Sequence, residues 1–205
     1  EKINKKGLVP PSNTDLGVAK RVYVTNENKG RTVSQEQLNS IPDQHLKMSL
    51  KLQVAFGLRR EEAMKIQPEK ADHGDHLVLD ASWCKGGRDR VIPILTEAQR
   101  ELLKEAKQLA CGKSLIPVQR TYVQQMKRYE NTCIKIGLDK AHGLRHSYAH
   151  QRYLTLTGFD CPVISGVRVH ELAPNQKVAD KLAREVITRE LGHSRLQVTA
   201  VYLGS

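Results

Sequence analysis

Two short β-rich runs, His76 to Ser82 and Arg90 to Leu95, flank Lys85-Gly86-Gly87-Arg88-Asp89 and predict a β-hairpin with a lysine and two glycines at its tip. Around this hairpin the chain reads as helices. Ser34-Gln35-Glu36-Gln37 and Thr96-Glu97-Ala98-Gln99 each set a hydroxyl residue three positions before a glutamine, the spacing at which side chain and backbone cap a helix start reciprocally. The first opens a short helix ending before Pro42, the second a helix to about Ala110 that Gly112 ends. Asp43 to Leu58 carries two periods at once. Leu46, Met48, Leu50, Leu52 and Val54 alternate as in a strand, whereas Leu46, Leu50, Val54 and Leu58 line one helical face. The stretch is longer than a usual strand, so helix is the reading.

Arg60 to Ile66 continues as helix and stops before Pro68. Leu115-Ile116-Pro117 reads as a brief extended link, Gln119 to Ile136 as a helix closed by Gly137, and Ala141 to about Leu156 as the next helix. Gly158 to Asn175, with two glycines and two prolines, reads as a loop or small hairpin. Lys177 to Leu191 returns to helix, Gly192 breaks it, and Ser194 is placed to cap a last short helix holding Tyr202. The expected fold class is α+β, mainly α.

The chain has 205 residues, enough for one domain with its own core, and a formal charge of +11 that favours a polyanionic partner through counterion release. Residues 1–31 are polar and basic and read as a linker or arm from an upstream domain, leaving 32–205 as the folded unit. The sequence opens Glu1-Lys2-Ile3-Asn4 without an initiator methionine, and we read it as a fragment of something longer. No apolar run has the length of a membrane span or the form of a signal peptide. Cys84, Cys111, Cys133 and Cys161 form no CxxC pair, which argues for free thiols in a reducing cytoplasm and against a thiolate zinc site. One Trp and two Phe are too few for a surface that stacks single-stranded bases.

Three segments carry the chemistry: Gly57-Leu58-Arg59, His142-Gly143-Leu144-Arg145-His146, and Leu191-Gly192-His193 with Tyr202 nine positions on. Transesterification at a phosphodiester without a metal needs a nucleophile, positive charge on the non-bridging oxygens, and an acid for the leaving oxygen. Arginine suits the second task through its permanently charged planar fork. A lysine on a hairpin tip suits the third, and a tyrosine suits the first once a base and neighbouring cations favour its phenolate. His142, three residues before Arg145, puts a base beside an oxyanion binder.

Gly57-Leu58-Arg59 with Glu62 resembles the first arginine box of the tyrosine recombinases, the family of phage and integrative-element integrases and bacterial chromosome-dimer resolvases. Lys85-Gly86-Gly87-Arg88-Asp89-Arg90-Val91-Ile92-Pro93 resembles its β-hairpin lysine segment, His142-x-x-Arg145 its HxxR box, and Leu191-Gly192-His193 with Tyr202 its ending. Each motif alone is weak; their order along residues 34 to 203 carries the resemblance. It implies a recombinase catalytic-domain fold and site-specific DNA recombination through a 3′-phosphotyrosyl intermediate. Tyr202 is then the nucleophile, Arg59 and Arg145 the phosphate clamp, Lys85 the acid, His142 the proton-transfer partner and His193 a phosphate donor. Arg88 is a DNA-contact candidate. No cofactor, metal or ATP is expected. The implied partners are double-stranded recombination sites, three further copies in a tetramer and accessory DNA-bending proteins, in the cytoplasm at a bacterial nucleoid. The stretch from Arg145 to His193 is longer than in compact members, and 158–175 is the expected insertion.

Two rival functions remain, a type IB topoisomerase-like relaxase and a non-catalytic DNA-binding protein of the same fold. A metal stripe is the rival for His142, His146 and His150, spaced four apart, with Asp72-His73-Gly74-Asp75-His76 adding ligands. No glutamate follows His142 in the HExxH sense and Arg145 would repel a cation, so His146 and His150 are read as packing or hydrogen-bonding within the core.

Overall fold

The computed structural model describes residues 12–19 and 22–205. Of the expected arm, residues 1–11, 20 and 21 lie outside the described residues. After a 3₁₀ turn at Asn13–Leu16 come α1 (Gln35–Asn39), α2 (Gln44–Phe56), α3 (Arg60–Lys65), α4 (Pro68–Ala71), β1 (His76–Leu79), β2 (Arg90–Pro93), α5 (Glu97–Ala110) and α6 (Tyr122–Lys135). Then follow α7 (Gly143–Thr157), α8 (Pro162–Ser165), α9 (Pro174–Glu190) and α10 (Leu196–Leu203). The fold is mainly helical with one two-stranded antiparallel sheet, as expected.

The double period of α2 has a physical cause: the helix is buried on two sides. Met48, Leu52 and Phe56, four apart, enter a core shared with α3, α4, the sheet and α5. Leu46 and Leu50 enter a second core with α1, α6 and the start of α7. Val54, expected on the buried face, is 45% exposed. Each of these fully buried side chains contributes about 1.5–3 kcal/mol of burial free energy, so α2 is the spine of the molecule. A third core joins α7, α9 and α10 around Tyr148, Tyr153, Ile187, Leu191 and Tyr202.

In the sheet His76 pairs with Pro93 and Leu79 with Arg90. Leu77, Leu79 and Ile92 face inward, and Val91 faces out. The strands are shorter than expected: Ser82 lies in a 3₁₀ turn (Ala81–Trp83) that Asp80 caps, and Trp83 is buried in the first core. The tip from Cys84 to Asp89 carries Lys85.

Helix starts follow side-chain capping. Ser34, Thr96 and Thr121 each form a capping box. The last corrects the expected start at Gln119, because Arg120 is held in a turn by the Pro117 carbonyl and Thr121 takes the cap. The segment after Gly158 is no hairpin: it holds α8 and a 3₁₀ turn, Val169–Glu171. Helix α9 begins at Pro174 rather than Lys177, since proline is preorganised for a first turn. Arg195, not Ser194, is the N-cap of α10, without a side-chain cap bond.

Candidate active site

Four chain segments distant in sequence meet at the C-terminal end of α9. Arg59, the N-cap of α3, donates from Nη1 to Glu62 Oε1 at 2.6 Å and from Nη2 to the Leu191 carbonyl at 3.2 Å. Arg145, on the first turn of α7, donates to the same Leu191 carbonyl and, at 2.5 Å, to the Gly57 carbonyl. One backbone oxygen therefore joins the two arginines. Carbonyls at a helix C-terminus lack intrahelical donors and carry the negative end of the dipole, which suits them to this role. Arg145 is 1% exposed and its Nε has no partner among the described residues.

Gly57 makes this approach possible. Its φ is +59°, and a Cβ there would lie 2.4 Å from the Tyr148 ring, so a side chain would collide with that ring. The Tyr148 hydroxyl donates to Glu190 Oε2 at 3.1 Å, and Arg152 grips the same carboxylate with Nε and Nη2.

Tyr202 is buried against His146 and His150 of α7 and against His142, the N-cap of that helix. His142 Nε2 is 3.1 Å from its hydroxyl, the His146 ring stacks on its ring at 4.3 Å, and His150 Nε2 is 2.8 Å from its carbonyl oxygen. The guanidinium of Arg145 lies 5.9 Å from the ring centroid and the His193 ring 5.1 Å. His193 Nδ1 is 3.1 Å from Thr199 Oγ1, itself 2.6 Å from Thr188 Oγ1; this hydroxyl pair orients the imidazole and leaves Nε2 available. The histidine stripe is thus a rack for the tyrosine. Among the described residues no cluster of three or more His, Cys, Asp or Glu is arranged to hold a metal, and Asp72 is paired with Arg100 and Lys107.

Lys85 is exposed and lines a cleft of about 630 Å³ together with Arg59, Glu62, Tyr129 and His142. Lys85 and His142 therefore border one space, and Tyr202, which does not line it, contacts His142. Arg88 is exposed and does not line it.

Burial alone would raise the Glu62 carboxyl, but Arg90, Arg59 and Arg145 outweigh it and hold the group below its ordinary value. Burial, reinforced by Arg90 and Arg59, pulls Arg145 down to about 9, so it stays charged near neutrality. Burial also lowers His142, with Arg145 and Arg59 adding to the effect. His146 and His193 fall to about 3, burial again leading, followed by His142 for the first and Arg145 for the second. The imidazoles around Tyr202 are therefore neutral at pH 7, the state in which His142 can accept a phenolic proton.

Arg59, His142, Arg145, His193 and Tyr202 meet here, and Lys85 shares the cleft with Arg59 and His142. The structure also gives a place to Arg90, to which the sequence assigned no role, while His146 and His150 pack and hydrogen-bond as expected. Arg90 is buried and bridges Glu62 and the Glu190 carbonyl, and His146 and His150 hold the tyrosine ring and backbone. The signal for Arg90 was its place in β2, an arginine at the inward position of an alternating strand.

A lysine-bearing two-stranded sheet within this helical arrangement places the chain in the class of tyrosine-recombinase catalytic domains. It belongs to the integrase family, whose model matches residues 19–151. No curated protein matches the sequence significantly. Among solved structures, the XerH site-specific recombinase bound to palindromic difH substrate in a post-cleavage complex is 18% identical with a TM-score of 0.51, over 86% of this chain and 50% of that one. The pre-cleavage complex of XerH with difH is 21% identical with a TM-score of 0.50, over 82% of this chain and 46% of that one. The chain thus spans about half the length of these structures, and at this identity the likeness is one of fold.

Proposed function

We propose that the chain is the catalytic domain of a site-specific recombinase that cleaves and rejoins duplex DNA by transesterification. The Tyr202 oxygen attacks the scissile phosphorus as His142 takes the phenolic proton. The P–O5′ bond breaks, Lys85 protonates the departing 5′ oxygen, and a 3′-phosphotyrosyl bond remains. Arg59 and Arg145 neutralise charge on the non-bridging oxygens, and the neutral His193 donates a hydrogen bond to one of them from Nε2. The covalent link keeps the phosphodiester energy, so attack by a 5′ hydroxyl of another strand restores DNA without ATP or a metal. The observation that carries the reading is the 3.1 Å contact between His142 and Tyr202, sixty residues apart, beside a buried guanidinium.

In this reading residues 32–205 are the catalytic unit and 1–31 the arm from an upstream DNA-binding domain. The Arg31 amide donates to the Gly143 carbonyl and Ser147 Oγ to the Arg31 carbonyl, which ties residue 31, at the end of the arm, to α7. Residues 158–175 are an insertion whose start is anchored in the third core through Cys161, and Arg88 is a DNA contact. The partners are double-stranded recombination sites, a tetramer of the chain on DNA, and accessory bending proteins, in a bacterial cytoplasm at the nucleoid; no helix among the described residues is long and apolar enough to cross a membrane. The experiment is adduct trapping on nicked recombination-site DNA. Wild-type protein is expected to yield a denaturation-resistant adduct that mass spectrometry assigns to Tyr202, and Tyr202→Phe none. An adduct in the phenylalanine variant would refute the nucleophile, and supercoil relaxation without recombinant products would favour the topoisomerase reading.

A further inference from the structure

Arg90 starts β2 opposite Leu79, at an inward position of the strand, with Ile92 at the next one. An aliphatic residue would satisfy that place, and a charge there is costly unless paired. Nη2 of Arg90 donates to Glu62 Oε2 at 2.5 Å and Nη1 to the Glu190 carbonyl at 3.1 Å. Its stem fills the space over Gly192, where a Cβ would lie 2.8 Å from Arg90 Cδ at a φ of +64°. The residue is 5% exposed and both of its terminal nitrogens are taken by protein acceptors, so it acts through its neighbours.

Glu62 is the pivot. One oxygen, Oε1, takes the Arg59 guanidinium, and the other takes both the Arg59 amide and Arg90. A carboxylate shared by two guanidinium groups cancels only part of the charge of each. Left with Arg59 alone, the same carboxylate would close on it and remove its charge from the cleft.

We infer that Arg90 is a positioning residue that shares the Glu62 carboxylate and so keeps the Arg59 cation available to a DNA phosphate. This rests on the recombinase reading for its consequence in cleavage, and on the three-residue cluster alone for its structural content. Arg90 also ties the lysine-bearing sheet to the α9 end that precedes His193.

The test uses the whole chain and three variants: Arg90→Met, Arg90→Met with Glu62→Gln, and Arg90→Lys. On nicked recombination-site DNA, Arg90→Met is expected to slow single-turnover adduct formation by about 10- to 100-fold, with DNA affinity within about threefold. The double variant, having lost the carboxylate charge, is expected to cleave faster than Arg90→Met. Arg90→Lys keeps the buried cation and stays within about threefold of wild type; it is also the variant that decides should methionine prevent folding. A double variant slower than Arg90→Met, or a lysine variant as impaired as the methionine one, overturns the inference. The second readout needs no DNA. The guanidinium Nε–Hε resonance of Arg59 is expected to shift in Arg90→Met and to keep its wild-type position in Arg90→Lys; if it does not shift in Arg90→Met, or shifts fully in Arg90→Lys, the inference is wrong. Absence of any wild-type adduct would sink the recombinase reading while the resonances still judge Arg90.

Discussion

His142 and Tyr202 meet through Nε2 and the phenolic oxygen at 3.1 Å, and burial with two nearby arginines holds the imidazole neutral. A neutral base is active without losing a proton first. Because its folded value lies below the ordinary 6.5, adduct formation is expected to be flat from pH 8 to about 6.5 and to fall only at lower pH. His142→Gln should lose about 10²- to 10⁴-fold and the acidic limb with it. A single-turnover pH profile checks this, and a limb centred above pH 7 in wild type would contradict it.

Lys85→Ala is expected to slow cleavage by about 10²- to 10⁴-fold while DNA affinity holds, because the side chain serves the leaving oxygen rather than the ground state. A substrate with sulfur at the 5′ bridging position leaves without a proton. On it the variant and wild type should cleave at comparable rates, and a persistent deficit would remove Lys85 from the acid role.

His146 and His193 sit near 3 in the folded protein and near 6.5 once unfolded. Between those values the unfolded chain binds more protons, so stability is fully present above pH 6.5 and is lost as pH falls toward 3. Glu62, lowered in the fold, acts in the same direction below its unfolded value near 4.5. Thermal midpoints should therefore drop steadily from pH 7 to 4, with a smaller slope in His146→Gln than in wild type. Equal slopes would show that the buried ring does not drive the acid loss.

Gly57→Ala forces a side chain into the left-handed region and onto the Tyr148 ring 2.4 Å away. Destabilisation of at least about 2 kcal/mol is expected in urea titrations, since strain and overlap add. Gly74→Ala, with the same sign of φ but open space around it, should cost clearly less. Equal losses would mean that the ring contact contributes nothing.

The sequence alone determined the helical character, the single sheet, the capping boxes at Ser34 and Thr96, and the six candidate residues. Caps and periods act over a few residues, and the motifs have fixed local spacings. The start of α6 was legible too, in Thr121-x-x-Gln124, but Pro117 and Gln119 drew the boundary earlier.

Only the tertiary structure decided which partners those residues take. Arg59 and Arg145 share the Leu191 oxygen across 132 and 46 residues, and Arg90 reaches Glu190 across 100. These are side-chain-to-backbone bonds, and a carbonyl oxygen looks the same in every residue of a sequence. Its use as a hub depends on where a helix ends and what packs against that end. For the same reason the sequence placed His146 and His150 in the core without naming their partner; α10 folding back across α7 made it Tyr202, because a helical period of four records a shared face without recording what covers it.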